Sequence, residues 1–216
     1  MKKQLFLFLV SCMILSMTCL SVKAQDTNPA QFGVKAGLNL SNLYTSDASS
    51  SDLLVGFNFG FFDKLPLTND VSIQPEFYIS TKGSSVTYKG IILDGTAKFN
   101  LTYLELPVLF VVKVAPALNV QFGPYIAYMV DGKVTNEANV SLFNFEKNLN
   151  VNDYNRFDAG LVGGLGVDVG SLTIGARYNY GLTKVGKTKS YLLSSYTIPN
   201  ANNGVINFYI SLGFNK

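Results

Sequence analysis

Eight charged residues, Lys35, Glu76, Glu105, Lys113, Arg156, Asp158, Asp168 and Arg177, share one parity of alternating segments and are the side chains best placed to do chemistry. Glu76 and Glu105 fall on neighbouring segments, and a pair of carboxylates can do acid–base work. Lys113 or Arg177 could equally neutralise them. The chain has no histidine, which removes the usual general base and triad partner of hydrolases and acyltransferases. Gly160 to Gly170 holds five glycines, but their spacing is not G-x-G-x-x-G and a strand, not a helix, follows. No catalytic, cofactor-binding or metal site is therefore expected. Four positive and four negative charges on one face suit a structural network of salt bridges and hydrogen bonds.

The first 24 residues account for the excess of basic charge. Met1-Lys2-Lys3, the apolar run Leu5 to Leu20 and the small-residue end Val22-Lys23-Ala24 have the three parts of a cleavable signal peptide. A membrane anchor is the alternative, since the apolar run is nearly long enough to span. Cys12 and Cys19 leave with the signal, so the mature chain from Gln25 has neither disulfide nor thiolate metal site. That mature part, residues 25–216, is expected to be one domain. Lys2, Lys3 and Lys23 are three of the 17 basic residues; without them the net charge is zero and no basic footprint for nucleic acid remains.

The elements that must position these residues are strands. No apolar run after Gln25 approaches the length of a membrane helix, about 18 residues. Period-two alternation recurs instead, in segments near 32–41, 52–62, 71–81, 98–114, 119–131, 156–170, 171–183 and 204–214. One face is apolar throughout, as in Leu53, Val55, Phe57, Phe59 and Phe61. The other carries the eight charges with Gly33, Gly37, Asn39, Asn58, Gln74, Gly164, Asn179 and similar residues. A face so rich in glycine and so poor in lysine and glutamate makes a poor solvated surface, but it fills a narrow lumen well. With 48% hydrophobic and 14% charged residues, against about 25% charged in soluble domains, the apolar face is expected to meet lipid. The expected fold is all-β: a closed antiparallel eight-stranded transmembrane β-barrel.

The connections support this independently. Longer ones, 42–51, 82–97, 132–155 and 184–203, alternate with the short 63–70, 115–118 and 170–171, as outer loops alternate with periplasmic turns in outer-membrane barrels. Pro75, Pro107 and Pro124 fall within strands, where bulges are expected because each lacks a ladder donor. A register shift is expected near Lys98 to Thr102, where the parity conflicts with Leu104.

Phe32-Gly33-Val34-Lys35-Ala36-Gly37-Leu38-Asn39, Tyr103-Leu104-Glu105-Leu106-Pro107, Gln121-Phe122-Gly123-Pro124-Tyr125, Phe157-Asp158-Ala159-Gly160-Leu161 and Ala176-Arg177-Tyr178-Asn179-Tyr180 resemble the PorT-like outer membrane β-barrel family of Bacteroidota. The resemblance covers nearly all of the mature chain and implies barrel wall rather than a reaction. It points to the cell outer membrane, with outer-membrane lipid and lipopolysaccharide as surroundings and barrel-assembly machinery as the partner in biogenesis. Function would then reside in the outer loops, where Phe143, Phe145, Tyr191 and Tyr196 are candidate contacts for an unidentified extracellular or secretion-system partner. A non-enzymatic structural or binding scaffold is the expected role; the alternative is a narrow channel or an accessory of a protein-secretion system.

Overall fold

The computed structural model describes residues 29–44, 52–89, 94–138, 145–149, 151, 154–186, 188–191, 194–197 and 201–215. The expected signal peptide lies outside them, as does Phe143. No helix among the described residues is long and apolar enough to cross a membrane.

Eight strands form the wall: β1 (Gln31–Tyr44), β2 (Leu54–Pro66), β3 (Val71–Lys89), β4 (Asp94–Ala115), β5 (Leu118–Ala138), β7 (Phe157–Val169), β8 (Leu172–Lys184) and β11 (Asn202–Asn215). Three short strands lie in the long connections: β6 (Phe145–Asn148), β9 (Thr188–Tyr191) and β10 (Ser194–Thr197). The wall strands pair antiparallel in chain order, and Phe32 pairs with Phe214 to join β1 to β11. The sheet is thus a closed eight-stranded barrel, which leaves no edge for lipid to meet.

Alternation sets the two faces. Leu53, Val55, Phe57, Leu165, Leu182 and Ile210 are each more than half exposed, as apolar residues are when hydrocarbon rather than protein covers them. Aromatic neighbours stack on this outer surface, Phe32 on Phe61 at 5.9 Å and Phe110 on Phe122 at 5.6 Å. At one end the turns are tight. Gly170, with φ of 62°, and Ser171 alone join β7 to β8, a left-handed position that glycine occupies without strain.

At the other end three strands run far beyond what a crossing requires. Strand β4 has 22 residues and β5 has 21, about twice the 9–11 that span a bilayer. The pairing of β3 with β4 continues to Lys89↔Asp94, and that of β4 with β5 to Gly95↔Ala138. Strand β6 adds to β5 from Lys133↔Asn148 to Asn136↔Phe145. Much of the expected loops 82–97 and 132–155 is therefore an upright sheet, tied by Lys98–Glu137 at 2.9 Å and Lys133–Glu146 at 2.5 Å. Strands β9 and β10 pair separately, Tyr191 opposite Ser194 and Tyr196 opposite Lys189.

Two expectations about irregularity meet different outcomes. The ladder between β4 and β5 shifts register between Thr102 and Tyr103, where the parity conflict lies. The extra residue is in β5: Thr102 pairs with Asp131 and Tyr103 with Met129, so Val130 is bulged. Strand β4 keeps one phase, and Leu101 points inward with Tyr103 and Glu105. The bulges expected at Pro75, Pro107 and Pro124 are absent. Register is continuous past each proline, and the ladder skips pairs instead, as between Pro75↔Val108 and Tyr78↔Glu105 or between Pro107↔Tyr125 and Phe110↔Phe122. A missing donor can be left out of a ladder without inserting a residue when the neighbouring pairs hold the strand in place.

Candidate functional site

Inward side chains can be large because glycines stand directly across from them. Gly33 pairs with Phe62, Gly60 with Tyr78, Gly160 with Tyr125 and Gly175 with Tyr209. A Cβ on Gly60 would lie 2.4 Å from that of Tyr78, and one on Gly33 would lie 2.3 Å from the Phe62 ring. The glycine-rich face is thus half of a large–small packing scheme whose other half is aromatic.

Among these rings sit two charge clusters. In the first, Glu76 is the hub: Lys35 Nζ donates to Oε2 at 2.6 Å, Arg177 donates to Oε2 and Oε1 at 2.8 and 2.9 Å, and Gln74 donates to Oε1 at 2.7 Å. Arg177 Nε also donates to Gln121 at 2.6 Å, and its guanidinium lies 4.4 Å from the Tyr209 ring centre. In the second, Lys82 Nζ stands 2.7 Å from Glu105 and 3.3 Å from Asp158, between the rings of Tyr103 and Tyr125. Asp158 also accepts from Tyr125, Thr183 and Asn203. Glu105 accepts no aligned hydrogen bond, so the ion pair with Lys82 is its compensation. Each charge is at most 3% exposed, and the two clusters together hold three cations and three carboxylates.

Five of the eight expected lumen charges, Lys35, Glu76, Glu105, Asp158 and Arg177, are thus buried together. The other three are not. Lys113 is exposed at the tight-turn end, two residues before Ala115, the last of β4. Asp168 is half-buried at the same mouth, held by Asn119 at 2.9 Å and Thr173 at 2.6 Å. Arg156 precedes β7, so strand parity does not govern it; it donates to the Met129 carbonyl at 3.0 Å and lies 4.5 Å from the ring of outward-facing Tyr128. Lys82 takes the place they leave. The inward rings of Tyr78, Tyr103, Tyr125 and Tyr209 were also outside the expected network, though they sit on its parity. Of the loop candidates, Phe145 lies on β6, Tyr191 on β9 and Tyr196 on β10.

The two ends of the lumen differ. Toward the long connections, Leu43, Leu101, Met129, Tyr154, Val185 and Ala201 form a buried apolar cap, with Leu149 and Val151 packed against it. Backbone bonds stitch this cap, Tyr154 bridging to Gly186 and Val185 bonding to Ala201 at 2.9 Å. Tyr103 and Met129 are 0% exposed and Leu101 2%. Toward the tight turns the lumen widens into a polar vestibule of about 290 Å³ that reaches in to Gln74, Gln121 and Tyr209. No group of residues that could hold a metal occurs among the described residues.

The model of the outer membrane protein beta-barrel domain family matches residues 23–186. The chain belongs to that family. In outer-membrane barrels the short turns are periplasmic, so this outer-membrane barrel opens its vestibule to the periplasm and turns its capped end and upright sheet outward. Among solved structures, it is similar to Ail of Yersinia pestis in complex with the heparin analogue sucrose octasulfate, at 15% identity and TM-score 0.47, over 87% of this chain and all of that one. It is similar to Neisserial surface protein A at 17% identity and TM-score 0.48, again over 87% of this chain and all of that one. OprG of Pseudomonas aeruginosa aligns at 13% identity and TM-score 0.41, over 88% of this chain and 98% of that one. The comparison with curated proteins found no match.

Proposed function

We propose that this barrel is a non-catalytic scaffold of the PorT-like group, whose sealed lumen supports an extracellular sheet and its connecting segments for binding a partner. The observation that carries the reading is the closure of the outer half. Lys82, Glu105, Asp158, Tyr103, Leu101 and Met129 occupy successive levels of the outer half of the lumen and are each at most 2% exposed. Buried charges held by several partners on different strands rigidify a lumen and do not hydrate it. The β3–β6 sheet then provides stiff height: about eight residues of each long strand, at roughly 3.3 Å per residue, extend past the rim. Lipopolysaccharide would surround its base, and Phe145, Tyr191 and Tyr196 stand on strands from which a partner could be met.

Single-channel recording of the purified full chain in planar bilayers tests this. No stable current above the bare-membrane baseline is expected. Sustained unitary currents from wild type would overturn the closed scaffold in favour of the narrow channel.

A further inference from the structure

The periplasmic vestibule has the form of a binding site, and we infer that it takes a small organic carboxylate. Ser72 and Ser211 line it, are 8% and 5% exposed, and have hydroxyls with no partner among the described residues. Most of the other inward polar groups are engaged: Gln121 bonds Arg177, Asn119 and Tyr209, and Gln74 bonds Glu76. The two serine hydroxyls are thus donors that face the open space of the vestibule, where a ligand can reach them.

Charge selects the ligand's sign. Lys64 on β2 and Lys113 on β4 flank the strand that carries Ser72, and both line the vestibule. Among the described residues neither ammonium has an ion-pair partner. Against them Asp70 and Asp168 also line the space, Asp168 accepting from Asn119 and Thr173, so the lining itself is balanced and the sign is set below it. Beneath the floor, Lys35 and Arg177 face the single carboxylate of Glu76, which adds one net positive charge. Hydroxyl and ammonium donors around a cup with Phe62 and Tyr209 in its wall suit a carboxylate borne on a polar, amide- or hydroxyl-bearing body. At about 290 Å³ the cup lies at the small end of known ligand pockets, near 300 Å³. Because its inner end is sealed, it holds a periplasmic ligand without passing it on. This site is independent of what the outer surface binds; sustained currents would overturn the sealed inner end but not the binding of the carboxylate.

The test titrates the full chain in detergent micelles, by NMR, with N-acetylglycylglycine and with glucuronate, each beside its carboxamide counterpart. Saturable shifts at the Ser72, Lys113 and Ser211 amides are expected for at least one acid, with its amide at least tenfold weaker. The Lys64→Met/Lys113→Met variant should lose at least tenfold in affinity, and Ser72→Ala/Ser211→Ala several-fold. Unheated gel migration checks that each variant is folded. Absence of saturable shifts with both acids, equal binding of acid and amide, or shifts confined to Leu101 and Met129 would overturn the inference.

Discussion

Replacing Glu76 with methionine should destabilise the barrel more than replacing Arg177, although the two residues form one ion pair. Glu76 compensates two cations, Lys35 at 2.6 Å and Arg177 at 2.8 Å, all with side chains at most 2% exposed. Its loss leaves two buried like charges without a carboxylate. Breaking a buried pair costs about 3–5 kcal/mol, and with two cations stranded the upper end, about 5 kcal/mol, applies. Arg177→Met leaves Glu76 with Lys35 and Gln74, a neutral and still bonded group. What it strands is the Gln121 carbonyl, at about 1–3 kcal/mol for an unsatisfied buried acceptor. A gap of about 2 kcal/mol between the variants, more than tenfold in the unfolding constant, follows. Replacing Lys35, Glu76 and Arg177 together by methionine should recover most of the loss, since well-packed apolar residues often match or exceed a buried ion cluster. The assay is equilibrium urea unfolding of refolded protein, read from the folded band on unheated gels because the chain has no tryptophan. Arg177→Met costing as much as Glu76→Met, or the triple variant remaining as unstable as Glu76→Met, would refute the hub.

In the second cluster the carboxylates are unequal. Glu105→Gln should change unfolding by less than about 1 kcal/mol, since Lys82 keeps Asp158, whereas Asp158→Leu, which leaves Lys82 with Glu105 but strands Tyr125, Thr183 and Asn203, should cost about 3–5 kcal/mol in the same assay, at roughly 1–3 kcal/mol for each unsatisfied group. On the lipid face, Phe57→Arg and Leu165→Arg should each cost about 2–4 kcal/mol near the midplane, seen as reduced folded fraction after refolding into vesicles, and Phe57→Leu should not. Gly60→Ala should destabilise by about 1–3 kcal/mol through overpacking, because its Cβ would meet the Phe77 carbonyl and Cα and Cβ of Tyr78; Tyr78→Ala keeps all of those atoms and should not rescue it, so the double variant should be no more stable than Gly60→Ala alone in the same urea unfolding.

The sequence made the eight wall strands and their faces legible because hydrocarbon imposes the alternation that pattern reading detects. Above the membrane that pressure ends. After Thr81 the positions of β3 that continue the outward parity are Gly83 and Ser85, both covered, so the apolar signal vanishes while the hydrogen-bonded ladder continues for eight more residues to Lys89. Lys82 was therefore assigned to a loop although it is 1% exposed in the lumen. Arg156 failed in the opposite sense, because parity placed it inward but it stands before its strand begins; Lys113 keeps the inward parity yet lines the open mouth where the wall ends, away from the buried clusters. The tyrosines needed register, not parity. Tyr78 reveals its room only when Gly60 is known to stand across from it. The apolar cap was invisible for a related reason, since Leu43, Met129, Tyr154 and Val185 come from distant parts of the chain with no shared period.

The skipped pairs around the three prolines fall in three successive seams, β2–β3, β3–β4 and β4–β5. The wall is consequently like a hoop with a thinned arc, and Glu76 lies on that arc, opposite the position of Pro107 where the β3–β4 ladder lapses. From there its carboxylate reaches across the lumen to Lys35 on β1 and Arg177 on β8. Those bonds act as spokes, holding the thin arc to the continuous β1–β11–β8 side. The shape of this barrel is thus kept partly by ties through its centre, and its circumference alone does not account for its roundness.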